Sequence, residues 1–471
     1  MRVIIVYPPN QLMPIETPRP DGSLGPLYLA GALRQIGIEP DLLDCSVGTP
    51  KDKLKDTFYR TVPLENGLVR IGMSPERIAE VFSQGYDLVC IHSNFTPQTK
   101  MVFEVAKIAR KVLPNAKIIT GGVNARNMSQ RFLATGLFDS ICMSEGEEWI
   151  KEYVKGTPHQ NRITTNLDDL PFPAWDLLPF KKYDKIASPH GVDLTAGERY
   201  APIMTSRGCP FRCAYCHISM EKGAIGELRV KSVNRVLQEI DILKRLGVKK
   251  LFIEDDSLLA KKKRVKEIFR KITHAGLTIA DVNGVNLVHF FQNTQTGLEP
   301  DEYYMELLYR AGFQQIVFPV ESGSQRILDT YATGKLNLKT MDILKLTRLA
   351  KKIGMATPVN MMIGFPDETE KEIISSIDLA RRLIDVGAPY VTFFIPVPFP
   401  GSTLYDIAIR GGHLNPSFDP DIMNWKNGVM TGTTVPQNRI VELRDWAWEN
   451  INTKEHVSLR IKESMKTRIA Q

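Results

Sequence analysis

Ser206–His217 reads SRGCPFRCAYCH and sets Cys209, Cys213 and Cys216 in a CxxxCxxC spacing. Three thiols this close, in a chain with 6 cysteines in all, converge on one soft metal centre. Four thiolates would complete a structural zinc site or an ordinary iron–sulfur cluster. No fourth cysteine follows Cys216, so one metal position stays open for a ligand. His217 is the alternative fourth ligand, but a neighbour on the same tight loop is badly placed to close such a site. The remaining alternative is three unrelated buried or disulfide cysteines, and disulfides do not suit a chain without a secretion signal.

Composition bounds the rest. A chain of 471 residues is expected to hold two or three domains, and 43% hydrophobic with 24% charged residues is ordinary for globular proteins. The net charge of +7 is spread along the chain, as at Lys261, Lys262, Lys263 and Arg264. That run reads as a solvated helix face and not as a nucleic-acid site. The opening MRVIIVYPP is a short apolar run that stops at two prolines, hence a buried strand and neither a signal peptide nor a membrane span. There are no repeats and no low-complexity tract. A cytoplasmic protein without membrane or nucleic-acid contacts is expected.

In the first third, expected as a domain over 1–155, apolar runs alternate with helical stretches. Val3–Tyr7, Pro40–Asp44, Asp87–His92, Lys117–Thr120 and Ser140–Met143 read as strands. Pro26–Gln35, Pro75–Ser83, Gln98–Val112 and Arg126–Ala134 read as helices. This pattern predicts an α/β, doubly wound parallel sheet with ligands beyond the strands' carboxyl ends. The residues placed there are Pro9 and Asn10, Leu24 and Gly25, Ser93, Asn94 and Thr96, Gly121, Gly122 and Val123, and Glu145 and Gly146. No GxGxxG is present, so dinucleotide binding has little support. His92 closes a strand and reads first as a satisfied strand histidine. Cys90 and Cys142 lie within apolar strands, where a thiol is usually a small hydrophobe.

A proline-bearing linker is expected over 156–200, with Trp175 in LPFPAWD as a packing anchor. From 201 to 400 strands recur at Ile203–Ser206, Lys250–Glu254, Ala280–Gly284, Gln315–Glu321, Thr357–Ile363 and Tyr390–Pro396. Helices such as Val233–Arg245 and Lys339–Lys352 lie between them. Six such units predict a partial (β/α)6 barrel, whose chemistry belongs at the carboxyl ends of its strands. The three cysteines follow the first strand. A mostly helical region is expected over 401–471, with Ile440–Ile461 as helix. Trp446 and Trp448 are expected to pack on the barrel. His217, His289, Asn283, Asn286 and Asn360 are polar candidates to face a substrate, and the sequence does not choose among them.

CxxxCxxC with Tyr215 before the last cysteine resembles the signature of the radical S-adenosylmethionine (SAM) enzymes. In that family three cysteines hold a [4Fe–4S] cluster whose fourth iron chelates the amino and carboxylate groups of SAM. The cluster's electron then cleaves SAM to methionine and a 5′-deoxyadenosyl radical. The resemblance implies further SAM contacts. Glu254, Asp255 and Asp256 (IEDDS) occupy the slot that carries GGE in many relatives. Glu321 and Ser322 (ESGS), and Ile363 and Gly364 (IGFPDET), match two further motifs, and Tyr215 lies where the family places a main-chain contact to adenine. Arg229 and Lys335 are basic residues that can neutralise the SAM carboxylate by charge-assisted hydrogen bonds.

YPP, SLGPLYLAGAL, GGVNAR and SEGEE are similar to the cobalamin-binding domain fused to many radical SAM enzymes. LPFPAWD and PFPGS (Pro398–Ser402) are similar to that class's entry segment and closing loop. The DxHxxG motif is missing, which implies cobalamin without a lower histidine from that motif. The likeness implies a cobalamin-dependent radical SAM methyltransferase, and TSRGC, ESG and KLNL are similar to small-molecule methylases of the fosfomycin-pathway type. One SAM would methylate cob(I)alamin; a second would yield the radical that takes hydrogen from an unactivated carbon, which then receives methyl from methylcobalamin. An external one-electron donor such as flavodoxin or ferredoxin is implied. The alternatives are a non-methylating enzyme with the same cofactors (an oxidative cyclase or ring rearrangement), a methylthiotransferase using Cys45, Cys90 and Cys142, and a non-catalytic cobalamin-binding sensor.

Overall fold

The computed structural model describes residues 1–14, 16, 22–158, 162–186, 197–220, 226–295, 297–424 and 428–458. The chain divides into two compact units, one of Met1–Pro189 with Thr195–Pro202 and one built on Ile203–Arg460.

The first unit is organised by five parallel strands: β1 (Val3–Tyr7), β2 (Asp41–Asp44), β3 (Leu88–His92), β4 (Lys117–Gly121) and β5 (Ser140–Ile141), in the order β2-β1-β3-β4-β5. Their apolar runs are buried on both faces, as at Val3, Ile4, Ile5 and Val6. Such continuous burial is the mark of a sheet covered by helices on each side. Leu24–Gln35, Pro75–Phe82, Thr99–Val112 and Gly146–Lys155 are the principal helices. Pro75 sits in the first turn of its helix and Ser74 caps it by accepting the Arg77 N–H. The single helix expected over Arg126–Ala134 is instead two short ones, Val123–Asn127 and Ser129–Leu133, broken at Met128. A small antiparallel sheet of Asn10–Leu12, Thr61–Pro63 and Val69–Ile71 was not foreseen, because its strands are three residues long.

The segment expected as a linker packs into this unit where it is described. Trp175 is 1% exposed and its indole N–H donates to the Pro202 carbonyl at 2.8 Å. Tyr183 donates to Asp44 at 2.6 Å and stacks on Tyr200. Pro189 lies outside the described residues.

Along the barrel, β6 (Tyr200–Ile203, of which Ile203 begins the second unit), β7 (Lys250–Ile253), β8 (Thr278–Asp281), β9 (Phe313–Gln315), β10 (Phe318–Glu321), β11 (Val359–Met362) and β12 (Val391–Phe394) follow one another. The strand expected over Gln315–Glu321 is two pieces, β9 and β10, with a single bridge from Gln315 to Ala356 carrying the parallel pairing across the break. The result is six barrel staves in chain order, as expected for an open (β/α)6 barrel. Ser206–Arg207 is not part of the first stave; it forms a two-residue antiparallel ribbon with Arg229–Val230. The third stave also ends earlier than expected, at Asp281, ahead of Gly284 at φ +82°. A hairpin of Phe291–Thr294 and Gly297–Pro300 follows it. Helix Glu370–Val386 starts with a full capping box between Thr369 and Glu372. The helix expected over Ile440–Ile461 is instead Gln437–Ile451, a break at Asn452 and Thr453, and a further helical turn over 454–458, with the final residues outside the described ones. Trp446 is 47% exposed, so it does not pack on the barrel as expected.

One buried charge cluster supports the barrel's wall. Lys231 and Glu239 are both 0% exposed, and the ammonium donates to both carboxylate oxygens at 2.7 and 2.6 Å. Burial lowers the Lys231 pKa to about 8 against the pull of Glu239. Arg235, one helical turn before Glu239, donates to it at 2.9 Å. Glu239→Ala leaves Lys231 buried without its counter-charge and is expected to destabilise this unit by about 3–5 kcal/mol. Chemical denaturation of the purified protein reads that loss, and a loss below about 1 kcal/mol would show that the pair is not buried in solution.

Candidate functional site

The cysteine loop hangs between the ends of the first two staves of the barrel. Asp255, 0% exposed just beyond β7, accepts the Thr205 N–H at 2.6 Å, the Thr205 hydroxyl at 2.6 Å and the Ser206 hydroxyl at 2.5 Å. Asp256 accepts the Gly208 N–H at 2.8 Å. Gly208 has φ +80°, and a Cβ there would lie 2.2 Å from the Glu227 carbonyl oxygen, so only glycine fits. The loop is closed by backbone bonds from Cys209 N to Gly226 O, Ala214 N to Tyr331 O and Leu404 N to Ala214 O.

Cys213 is 6% exposed and Cys209 and Cys216 are half-buried. Burial pushes the Cys213 thiol up, and the Cys216 thiol up to about 12. The Lys335 ammonium acts on both in the opposite sense, toward thiolate. Among the described residues no three His, Cys, Asp or Glu side chains are gathered tightly enough to hold a lone metal ion. Thiolates around one zinc lie about 2.3 Å from it, so three would crowd together. Three thiols on one loop, with no fourth cysteine after them, fit the face of an iron–sulfur cluster instead.

A second group of polar residues adjoins the loop. Tyr215 donates to Glu321 Oε1 at 2.8 Å, and Lys335 Nζ lies 2.8 Å from the same oxygen. Lys335 is 12% exposed and Glu321 8% on the side chain. Burial works against the Lys335 charge, but Glu321 and then Cys213 outweigh it and raise its pKa. Glu321 has φ +68°, the one described non-glycine residue in the left-handed region. Ile363 is 0% exposed with its N–H on Phe394 O. Gly364, φ +99°, donates its N–H to Glu368 at 2.6 Å. Glu368 also accepts the Phe365 N–H at 3.1 Å, and burial raises its pKa to about 7.

The structure thus sorts the expected SAM contacts. Tyr215, Glu321 and Lys335 come together beside the cysteines. Glu254, part-exposed at the end of β7, accepts from Asn283 with its backbone carbonyl. Asp255 and Asp256 hold the loop itself. The Ser322 hydroxyl, 0% exposed, lies 3.2 Å from Ser376 Oγ and accepts the Ser324 N–H. Arg229 pairs opposite Arg207 in the ribbon. Of the polar candidates left open, Asn286 donates to Ser257 at 2.9 Å and lies 3.9 Å from Cys209 Sγ.

In the first unit a cavity of about 150 Å³ opens at the carboxyl ends of the sheet. Gly25, Asn94, Gly121, Gly122 and Gly146 line it, as expected, with Leu29, His92, Cys142, Ser144, Glu147 and Trp149. The glycines make the room: a Cβ on Gly122, φ +105°, would lie 2.4 Å from Asn94 Oδ1, and one on Gly146 2.7 Å from Leu29 Cδ2. Leu29 and Trp149 were legible only as core residues one turn beyond Gly25 and Gly146. The remaining expected residues lie next to the cavity in sequence but do not line it. Asn10 accepts from Gln98, Ser93 from Asn124, Glu145 from the Thr164 N–H, and Thr96 is buried under Thr99. Pro9, Leu24 and Val123 are likewise absent from its lining. His92 has its Nε2 3.2 Å from Ser23 Oγ and stacks on Tyr7, and burial lowers its pKa to about 4.

Comparison with known proteins bears on both sites. Residues 203–380 match the family model of the radical SAM superfamily. The chain is 27% identical to cytidylyl-2-hydroxyethylphosphonate methyltransferase from Streptomyces wedmorensis, over 91% of this chain and 85% of that one. It is 30% identical to an uncharacterised methyltransferase from Pyrococcus horikoshii, over 69% and 68%. Among solved structures, the radical SAM methyltransferase TsrM from Kitasatospora setae, with cobalamin and a [4Fe–4S] cluster bound, superposes with a TM-score of 0.60 over 88% of this chain and 79% of that one at 17% identity.

Two outcomes follow from this geometry. Gly208→Ala forces the loop away from Glu227 and is expected to cut iron and sulfide bound per chain at least about threefold after anaerobic reconstitution, without loss of the folded barrel by circular dichroism. Glu368 is raised from the usual carboxylate range to about 7. The stability this acid contributes is complete below about pH 4.5 and fades as pH climbs through 7. Glu368→Gln, which keeps an acceptor for Gly364 and Phe365, is expected to flatten the unfolding free energy between about pH 4.5 and 7.

Proposed function

This chain belongs to the radical SAM superfamily and is an enzyme related to its methyltransferases, and on that premise we propose that it transfers a methyl group from cobalamin to an unactivated carbon of a small-molecule substrate. The observation that carries the reading is the presence in one chain of two built sites, an open-coordination cysteine loop at the barrel's mouth and a glycine-lined cavity at the carboxyl ends of a doubly wound sheet.

The cluster supplies the electron that cleaves SAM, and cobalamin supplies the methyl group; the chain supplies position and exclusion. Cys209, Cys213 and Cys216 would hold the cluster. Lys335 and Glu321 lie where a charged amino-acid moiety beside those thiols needs an anion partner and a cation partner. Lys335 also offsets the negative charge of Cys213 and Cys216. The Gly364 backbone, pinned by Glu368, presents a flat edge of main chain beside Phe365 and Tyr331, whose rings stack 4.2 Å apart.

The cavity residues fit a group that penetrates the sheet edge: small at Gly25, Gly121, Gly122 and Gly146, apolar at Leu29 and Trp149. His92 has its Nε2 engaged with Ser23, which supports cobalamin bound without a lower histidine. Cys45, Cys90 and Cys142 are 0%, 4% and 6% exposed, and Cys90 and Cys142 belong to the sheet's apolar core. That burial argues against a second cluster and so against methylthio transfer. No helix among the described residues is long and apolar enough to cross a membrane. A cytoplasmic enzyme served by an external one-electron donor such as flavodoxin or ferredoxin completes the reading.

The test is anaerobic reconstitution with iron, sulfide and cobalamin, followed by SAM turnover under a low-potential reductant. Retained cobalamin, with S-adenosylhomocysteine and 5′-deoxyadenosine both formed, is the expected result. Deoxyadenosine alone, with cobalamin retained, would replace methyl transfer by a non-methylating reaction. Cys213→Ala is expected to abolish both cluster binding and deoxyadenosine formation; a variant that still cleaves SAM would refute the cluster assignment.

A further inference from the structure

Asp281 has no part in what has been described so far. It is the last residue of β8, paired in register with Ile253 at the end of β7, and so lies at the same carboxyl end of the barrel as the cysteine loop. It is 7% exposed, and neither of its carboxyl oxygens has a hydrogen-bond partner among the described residues. Burial, and then the charge of Asp255, push its pKa up to about 8. A carboxyl group without a partner is costly in a folded interior whether it is charged or neutral. Asp255 shows the contrast: burial raises its pKa too, but three hydrogen bonds oppose that in part.

The chain that leaves Asp281 runs along the cysteine loop. Asn286 reaches Cys209 Sγ at 3.9 Å, and the His289 ring lies 5.7 Å from that of Phe211. His289 Nε2 is a second buried atom without a partner, on the same nine-residue stretch. The cations of the adjoining helix are engaged elsewhere. Lys262 is ion-paired with Asp301 at 2.7 Å, and Arg264 donates to the carbonyls of Lys231 and Thr205. Only the Gly284 backbone N–H bears on the carboxyl, short of a well-formed hydrogen bond, and no other described group supplies the donor that Asp281 lacks.

We propose that Asp281 is the recognition element for the small-molecule substrate and takes a hydroxyl or ammonium group of that molecule. The proposal rests on the function above only in placing the substrate at the barrel's mouth. Its chemistry is selective: a cation or donor at that point draws Asp281 into its charged form, while Asp255 behind it disfavours a phosphate or carboxylate there. A ligand donor would satisfy the carboxyl group and hold the substrate by an oriented, charge-assisted hydrogen bond.

The experiment compares reconstituted wild type with Asp281→Leu and Asp281→Asn in three measurements. The thermal midpoint of Asp281→Leu is expected to equal or exceed that of wild type, since an unsatisfied polar group is removed; a fall of several degrees would show Asp281 to be a structural residue satisfied through water. Affinity for S-adenosylhomocysteine is expected to stay within about twofold in both variants. A larger loss would assign Asp281 to SAM and overturn the proposal. Saturation-transfer NMR with ethanolamine and with glycolate probes the donor preference directly. Ethanolamine is expected to bind wild type and to lose its signal in Asp281→Leu, with glycolate silent throughout. Absence of ethanolamine binding to wild type, or equal binding to the variant, would refute the site. The proposed function fails separately, through wild type that binds no S-adenosylhomocysteine or iron.

Discussion

The barrel's site depends on one buried carboxylate. Asp255 is fully enclosed, and it receives the backbone N–H and hydroxyl of Thr205 and the hydroxyl of Ser206. A charge in that position is tolerable only when it is densely hydrogen-bonded. Its demand for donors turns the chain at the end of the first stave, so that Ser206 and Arg207 leave the barrel sheet and pair with Arg229 and Val230. Asp256 then takes the Gly208 N–H, and the cysteines follow on a loop anchored from the second stave. Arg264 ties the same turn to the next helix through the Thr205 and Lys231 carbonyls. Without Asp255 the turn that begins the loop would lose its anchor, and Asp256 with the loop's backbone bonds would be left to aim the thiols.

Both units obey the same geometric rule by different means. Parallel strands deliver their following loops to one end, and that end gathers the polar chemistry. In the first unit the loops make space, with glycines where any side chain would collide with Asn94 or Leu29. In the second they make contacts, with Tyr215, Glu321 and Lys335 meeting within hydrogen-bonding reach although they lie more than a hundred residues apart at the extreme.

The strands and the CxxxCxxC loop were legible because their signals are local. Val3–Tyr7 and Val233–Arg245 appear with the boundaries that their apolar periodicity implies. Local signals failed where distant residues decide. The first stave stops at Ile203 because Asp255, fifty positions on, claims Thr205. The fourth stave breaks into two because its pairing passes through Ala356. The motif match nominated Asp255 and Ser322 as ligand contacts, and the hydrogen bonds add what each holds in the scaffold, which the motif did not say. Asp281 went unnoticed for the converse reason: one aspartate closing an apolar strand looks like the start of a turn, and its lack of a partner exists only in three dimensions.

Glu321 holds its place with a backbone twist that suits glycine, and neighbouring Gly323 shows that the surrounding turn already admits that residue where the chain needs it. Conformational strain of this kind is a standing local cost that packing elsewhere must offset. If Glu321 has the role proposed for it, selection for thermal endurance and selection for chemistry pull position 321 in opposite directions, glycine for the first and glutamate for the second. A lineage that had lost the need for its cofactor would be expected to drift at this residue early, while the apolar core around Val320 and Phe318 stayed as it is.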